Sequence, residues 1–107
     1  MQRRKYKISV MNTRICSIIK EYFKTKPIEK AWLFGSFSRG EERADSDVDI
    51  LITFVPGTKM GLQFFAMIID LERLLNRPVD LVIDGDLLPF ASQTADKDKV
   101  LIYDRAA

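Results

Sequence analysis

The chain has 107 residues, 47% of them hydrophobic and 30% charged, which is typical of one small folded domain rather than a disordered or fibrous protein. Seventeen Lys and Arg against fifteen Asp and Glu give a formal charge of +2, too small to predict direct nucleic-acid binding. One cysteine excludes an intramolecular disulfide, and the absence of histidine excludes a Ser-His-Asp triad and the usual zinc ligation, so any chemistry must come from carboxylates, hydroxyls, Lys and Arg.

The N-terminal residues 1–7 contain the compact basic run "QRRKYK". We interpret it as a solvated tail, with contact to an acidic partner or nucleic acid as the alternative. No apolar run reaches the roughly 18 residues that a membrane span needs, and the N-terminus lacks the apolar core of a signal peptide. We therefore expect a cytoplasmic protein with a single domain over residues 1–107 and no membrane contact.

The first half of the chain predicts a helix, a strand and a second, short helix. Apolar residues at helical spacing indicate a helix from about Asn12 to Lys24. "KAWLFG" is a short apolar strand that Gly35 ends, and its aromatic residues Trp32 and Phe34 are expected to pack in the sheet core. Ser36 can cap a short helix over about residues 37–42.

The second half alternates strands and helices. "VDILITF" is a β-branched strand ended by a Pro-Gly turn, and a long helix follows from about Gly61 to Asn76. "VDLVI" is the third strand, a further helix begins at Leu87, and "KVLIYD" is the fourth strand. The predicted order is α-β-α-β-α-β-α-β around one sheet, in the α/β (α+β) class.

Two aspartates stand at the head of the second strand, in "LFGSFSRGEERADSDVDILI". Residues i and i+2 of a strand point the same way, so Asp47 and Asp49 present both carboxylates on one face, with Cα atoms about 6.5 to 7 Å apart. Such carboxylates repel unless a cation lies between them, and Mg²⁺ prefers carboxylate oxygens. The alternative is that either aspartate is a cap or turn residue.

The Gly-Ser turn upstream has the features of a phosphate site. Gly35 allows the backbone to turn sharply, and Ser36 offers a hydroxyl and free N–H groups at a helix start. Arg39 and Arg43 follow at i+3 and i+7, on the same side of the predicted helix as Ser36. A Gly-Ser turn alone is commonplace. Its combination with the two aspartates at this spacing requires several independent sequence features to occur together.

The stretch "GSFSRGEERADSDVDILI" resembles the signature of the polymerase-beta-type nucleotidyltransferases, and the short chain resembles their minimal branch, the MNT proteins. The resemblance implies a mixed four-stranded sheet backed by helices and Mg²⁺, as two ions, bound with ATP. Gly35 and Ser36 would hold the phosphates, while Asp47 and Asp49 would be metal ligands. Such enzymes usually have a third carboxylate, which we place at Asp80 as metal ligand and proton acceptor.

Asp84 is the alternative to Asp80 for this third carboxylate. It shares the strand face of Asp80, but turn chemistry beside Gly85 explains it without a function. Asp80 lies between Val79 and Leu81, where a structural role is harder to supply. We therefore favour Asp80.

The resemblance further implies transfer of AMP from ATP to a hydroxyl acceptor. Members of the minimal branch often occur with a HEPN toxin, which they neutralise, in known cases by adenylylating its tyrosine. On this resemblance the chain would be the antitoxin of a toxin–antitoxin pair. Two alternatives stay open: a noncatalytic nucleotide-binding or toxin-masking module, and nucleotidylation of a small molecule such as an aminoglycoside. Base specificity and a homo-oligomer are also left open by the sequence.

Overall fold

The computed structural model describes residues 10–35, 46–84 and 99–106. Within them lie the elements α1 (Val10–Phe23), β1 (Ile28–Phe34), β2 (Val48–Phe54), α2 (Leu62–Leu75), β3 (Val79–Ile83) and β4 (Val100–Asp104). Each corresponds to an element predicted from the sequence. The predicted short helix after Ser36 and the helix beginning at Leu87 lie outside the described residues.

The four strands form one mixed sheet in the order β3-β2-β1-β4. β1 pairs antiparallel with β2 on one side and with β4 on the other, whereas β2 and β3 are parallel. Parallel neighbours need a crossover connection, and α2 supplies it between β2 and β3. The α+β class and the mixed four-stranded sheet are thereby confirmed.

One face of the sheet is covered by the two helices. α1 and α2 each bury a row of apolar side chains at i, i+4 and i+8, the spacing that aligns residues on one side of a helix. Alternate strand residues meet these rows, since successive side chains of a strand point to opposite faces. The resulting core contains Ile15, Ile19, Phe23, Ile28, Ala31, Leu33, Val48, Ile50, Ile52, Met67, Leu71, Leu75, Val79, Leu81 and Tyr103.

Trp32 and Phe34 do not belong to this core. Both are half-buried, and their register partners on β2 are Leu51 and Asp49. Their prediction as core residues is wrong because β1 alternates: Ala31 and Leu33 face the helices, so Trp32 and Phe34 face the opposite side. An apolar run in one strand does not reveal which face the helices cover.

Polar contacts hold α2 between its neighbours. The Tyr22 hydroxyl on α1 donates a 2.6 Å hydrogen bond to Asp70 Oδ2 on α2. Burial, and then the hydrogen bond and charge of Asp70, raise the pKa of Tyr22. At the other end, Asn76 adopts a left-handed conformation with φ 56° and donates its backbone N–H to the Glu72 carbonyl, which ends the helix.

The turn out of α2 leads directly into β3. The Glu72 carboxylate accepts a 3.0 Å hydrogen bond from the backbone N–H of Val79, the first residue of β3. The end of α2 therefore fixes where β3 begins.

Neither of the two described helices combines the length and the apolar composition that a membrane-spanning helix needs.

Candidate active site

Asp49 and Asp80 lie side by side on neighbouring strands. They are register partners in the parallel pairing of β2 with β3, so both side chains leave the same face of the sheet, from backbones about 4.8 Å apart. Their strand neighbours Val48, Val79 and Leu81 belong to the helix-side core. Both carboxylates therefore lie on the face that the two helices leave uncovered, Asp49 half-buried and Asp80 exposed.

Asp47 precedes the first residue of β2 and is exposed. Two hydrogen bonds fix the backbone on either side of it: Arg77 Nη1 donates to the Ser46 carbonyl at 3.2 Å, and the Val48 N–H donates to the Pro78 carbonyl at 2.9 Å. These bonds tie the start of β2 to the segment that enters β3. Asp47 is thus held at the same end of the sheet as Asp49 and Asp80.

Gly35 follows β1 with φ 74°, a left-handed conformation that side chains rarely adopt. A Cβ at this position would overlap Asp49 Oδ2 and lie 3.2 Å from its Cγ. The glycine is therefore needed both for the turn and to leave room for the Asp49 carboxylate. The sequence predicted the turn, but the close approach depends on the pairing of Phe34 with Asp49.

Asp84, the alternative third carboxylate, lies elsewhere. It follows the end of β3, and its backbone N–H donates to the Ile52 carbonyl at 2.8 Å. Since a strand rises about 3.3 Å per residue, Asp84 lies roughly 13 Å along the chain from Asp80. The register brings Asp80, and not Asp84, beside Asp49.

The predicted phosphate-binding residues beyond Gly35 are Ser36, Arg39 and Arg43, and all three lie outside the described residues. Their roles stay predictions. The same holds for any contact between them and the three aspartates.

The three aspartates fit a hard divalent cation by donor type, since Mg²⁺ takes oxygen ligands and usually keeps several waters. Gly35 also leaves the space that a side chain would take from the Asp49 carboxylate. However, among the described residues no group of three or more His, Cys, Asp or Glu side chains is arranged to hold a metal ion. The aspartates share one end of the sheet without forming such a group there.

A lysine and a tryptophan, which the sequence did not connect, also lie against each other. Lys99 Nζ lies 4.6 Å from the centroid of the Trp32 ring, a distance typical of a cation–π contact. Lys99 immediately precedes β4, whereas Trp32 lies in the middle of β1. Nothing in the sequence shows that these strands are neighbours, so no local pattern would have found the pair.

The sequence was also compared with models of known protein families. The model for the polymerase beta nucleotidyltransferases matches residues 17–107, which include every described strand and both halves of the Gly-Ser and Asp-x-Asp signature. The chain belongs to this nucleotidyltransferase family. The resemblance inferred from the signature is confirmed.

Two archaeal relatives extend the comparison. A Methanocaldococcus jannaschii protein that is named provisionally as a protein adenylyltransferase is 40% identical over 87 residues, which cover 80% of this chain and 83% of that protein. The protein adenylyltransferase MntA of Thermococcus cleftensis is 36% identical over 75 residues, covering 70% of this nucleotidyltransferase chain and 75% of MntA. Both relatives match this chain over most of their length.

Solved structures share the fold. A chain of a toxin–antitoxin structure determined with AMP-PNP superposes with a TM-score of 0.72 at 21% identity, covering 83% of this chain and 73% of that one. A chain from the complex of a tri-AMPylated Shewanella oneidensis HEPN toxin with its MNT antitoxin gives a TM-score of 0.61 at 18% identity, covering 91% and 72%. At these identities the likeness shows a common fold.

Proposed function

We propose that this nucleotidyltransferase moves AMP from ATP to a hydroxyl of a partner protein, in a reaction that requires Mg²⁺, and that it acts in the cytoplasm. The observation that carries the proposal is the register pairing of Asp49 with Asp80, with Gly35 against the Asp49 carboxylate. Two carboxylates at paired positions of neighbouring strands repel each other, and a bound cation reduces that repulsion. A metal-bound triphosphate supplies that charge.

In the proposed reaction the acceptor oxygen bonds to the α-phosphorus of ATP, the bond from that phosphorus to the bridging oxygen breaks, and pyrophosphate leaves. Mg²⁺ held by Asp47, Asp49 and Asp80 would neutralise charge on the triphosphate. The exposed Asp80 carboxylate would accept the proton of the acceptor hydroxyl. The turn at Gly35 with Ser36, Arg39 and Arg43 would orient the phosphates, because alignment and charge stabilisation dominate phosphoryl transfer.

For the acceptor we propose a tyrosine of a HEPN toxin, which would make this chain its antitoxin. Support comes from the relatives named as protein adenylyltransferases and from fold neighbours found in toxin–antitoxin complexes, one with an AMPylated HEPN toxin. The partner would then supply the acceptor hydroxyl.

The test is calorimetric titration of ATP into the purified protein, with Mg²⁺ and with EDTA, for the unaltered chain and for Asp49→Asn, Asp80→Asn and Asp84→Asn. We expect ATP to bind only with Mg²⁺. Asp49→Asn should weaken binding, because it removes half of the carboxylate pair. Asp84→Asn is the matched control, since it makes the same chemical change on the same strand face away from Asp49, and it should bind like the unaltered protein.

Transfer is measured by mass spectrometry of a HEPN partner, as the mass added by AMP. We expect Asp49→Asn and Asp80→Asn to lower the transfer rate by at least about a hundredfold, the scale reported for losing one charge-stabilising group. Metal-independent binding, or full transfer by both variants, would contradict the proposal. Neutralisation of the partner without any added AMP would instead establish the masking module, and transfer to aminoglycosides alone would establish the small-molecule enzyme.

A further inference from the structure

One peptide unit between α2 and the sheet is held by hydrogen bonds on both sides. It joins Pro78 to Val79, immediately before Asp80. Its carbonyl accepts a 2.9 Å hydrogen bond from the Val48 N–H on β2, and its N–H donates a 3.0 Å hydrogen bond to Glu72 Oε2 on α2. Since the N–H and C=O of a trans peptide point in opposite directions, β2 and Glu72 hold one planar group between them.

This peptide unit is a neighbour of all three aspartates. Val48, which donates to its carbonyl, lies between Asp47 and Asp49 in the chain. Asp80 follows directly after the unit and is the register partner of Asp49. Because a planar peptide moves as one body, its orientation sets the direction in which β3 leaves the turn and carries Asp80 toward Asp49.

The Val79 N–H points to the border of the sheet, away from β2. Among the described strands β3 has β2 as its single hydrogen-bonded neighbour, and the Pro78 carbonyl already faces that strand. Val79 is buried, and a buried N–H without an acceptor is unfavourable. The Glu72 carboxylate therefore takes the place that the carbonyl of a further strand would have.

Local helix preference does not account for Glu72. It lies in the last turn of α2, where the negative end of the helix dipole disfavours a carboxylate. Its own carbonyl accepts the N–H of Asn76 at 2.8 Å, so the residue that ends the helix also reaches β3. A charged acceptor makes a stronger hydrogen bond than a neutral one does. These features favour a role for the carboxylate in holding β3.

We propose that Glu72 is a positioning residue for Asp80 in AMP transfer. It orients the Pro78–Val79 peptide and thereby holds the Asp80 carboxylate beside Asp49. This inference rests on the proposed function, because it assigns a support to one carboxylate of that site. Glu72 belongs to the helix-covered side, whereas Asp80 leaves the other face, so Glu72 acts through the backbone of β3 rather than by contact with ATP or the acceptor.

The experiment compares Glu72→Met, Glu72→Gln and Tyr22→Phe. Methionine has a similar length and only a weak acceptor, whereas glutamine keeps an oxygen acceptor and loses the charge. Tyr22→Phe is the matched control, because it removes another hydrogen bond that a carboxylate of α2 accepts, the one from Tyr22 to Asp70. Urea unfolding shows that each variant is folded and how much stability it loses.

The first readout needs neither metal nor nucleotide. In amide NMR spectra of the protein alone, the Val79 N–H proton should resonate downfield, because its acceptor is a carboxylate. It should move upfield in Glu72→Met, move less in Glu72→Gln and stay in place in Tyr22→Phe. The Val48 N–H should shift with it, because it donates to the same peptide unit. An unmoved Val79 proton in Glu72→Met would overturn the proposal.

The second readout is the rate of AMP transfer to a HEPN partner. Glu72→Met should lower it by about tenfold, the lower end of what supporting residues around metal sites contribute. Glu72→Gln should recover most of the rate, and Tyr22→Phe should transfer normally. In a chain that already carries Asp80→Asn, Glu72→Met should have less than about a twofold further effect, because the carboxylate through which Glu72 acts is already gone.

Transfer by Glu72→Met at the rate of Tyr22→Phe would overturn the positioning role while leaving the proposed function intact. An equal loss in Glu72→Met and Glu72→Gln would also overturn it, since the effect would then follow the charge rather than the acceptor. The same holds for a full loss of about tenfold on top of Asp80→Asn. Failure of the unaltered protein to transfer AMP to its partner would overturn the proposed function and this role together.

Discussion

The two faces of the sheet carry different kinds of side chain. On the helix-covered face the described residues pack fifteen buried apolar side chains into one cluster, and no polar or charged residue in the described ranges is fully buried. On the other face the same strands carry Asp49, Asp80 and the Trp32–Lys99 contact. Since alternate residues of a strand point to opposite sides, β2 serves both faces at once. Under the proposed function, the nucleotide-binding carboxylates and the helix-side core are therefore separated by one residue step along β2.

The variant with the largest expected effect on stability is Leu71→Ala on α2. Leu71 is fully buried, so the substitution should lower the free energy of unfolding by about 2 to 5 kcal/mol, from lost burial and the cavity left behind. Asp80→Asn, on the exposed face, should change it by less than about 0.5 kcal/mol. Urea unfolding of both variants measures the difference, and similar losses for the two would break the comparison.

Gly35→Ala should lower both the stability of the domain and the rate of AMP transfer, because Gly35 links the end of β1 to the Asp49 carboxylate. Its φ of 74° and the overlap with Asp49 should together cost about 1 to 3 kcal/mol of stability. Displacement of Asp49 should also reduce AMP transfer by about tenfold or more, as small misplacements of reacting groups do.

Gly57→Ala is the matched control for Gly35→Ala. Gly57 has φ 86°, but a Cβ there would have no neighbour within 4 Å, so only the backbone strain applies. The excess loss in Gly35→Ala, measured by urea unfolding, is the effect of the Asp49 contact. If both variants lose equal stability and keep full transfer, Gly35 serves the turn alone.

Tyr22→Phe should lower stability less than Leu71→Ala does, and its effect should be confined to the helix side. It removes the 2.6 Å hydrogen bond to Asp70, worth about 1 kcal/mol, and AMP transfer should not change.

The same variant tests a pH dependence. Burial, and then Asp70, raise the pKa of Tyr22 in the folded state above its ordinary value of about 10. The folded state therefore holds this proton more tightly, and its stabilisation is full below about pH 10 and is lost as pH rises above it. Unfolding free energies measured from pH 8 to 11 should fall less steeply for Tyr22→Phe than for the unaltered protein. Parallel curves would show that the Tyr22 pKa does not differ between the folded and unfolded states.

The elements were largely predictable from local sequence. β2 matches its prediction over Val48–Phe54 because a β-branched run ends at a Pro-Gly turn. α2 was predicted one residue too long at each end, since Gly61 and Asn76 are its caps. Such features depend on neighbours along the chain, where sequence patterns are informative.

The site was predictable only in part. The signature pointed to Asp47 and Asp49, whereas the pairing of Asp49 with Asp80 depends on the register of β2 with β3 across the α2 crossover. The same limit explains the wrong placement of Trp32 and Phe34 and the missed contact with Lys99. Register and sheet order are set by long-range packing, which no local pattern encodes.

The position of β3 in the sheet affects how much of the time Asp49 and Asp80 are adjacent. Within the described strands β3 is five residues long and has a single hydrogen-bonded neighbour, β2. Short strands at a sheet's border open locally at lower free energy than central strands, and amide hydrogen exchange records such openings. Each opening of β3 would carry Asp80 away from Asp49 while β1 and β2 stay paired. The fraction of time for which the two carboxylates are adjacent is therefore governed by β3 and by the Glu72 hydrogen bond at its first residue, rather than by the global stability of the domain.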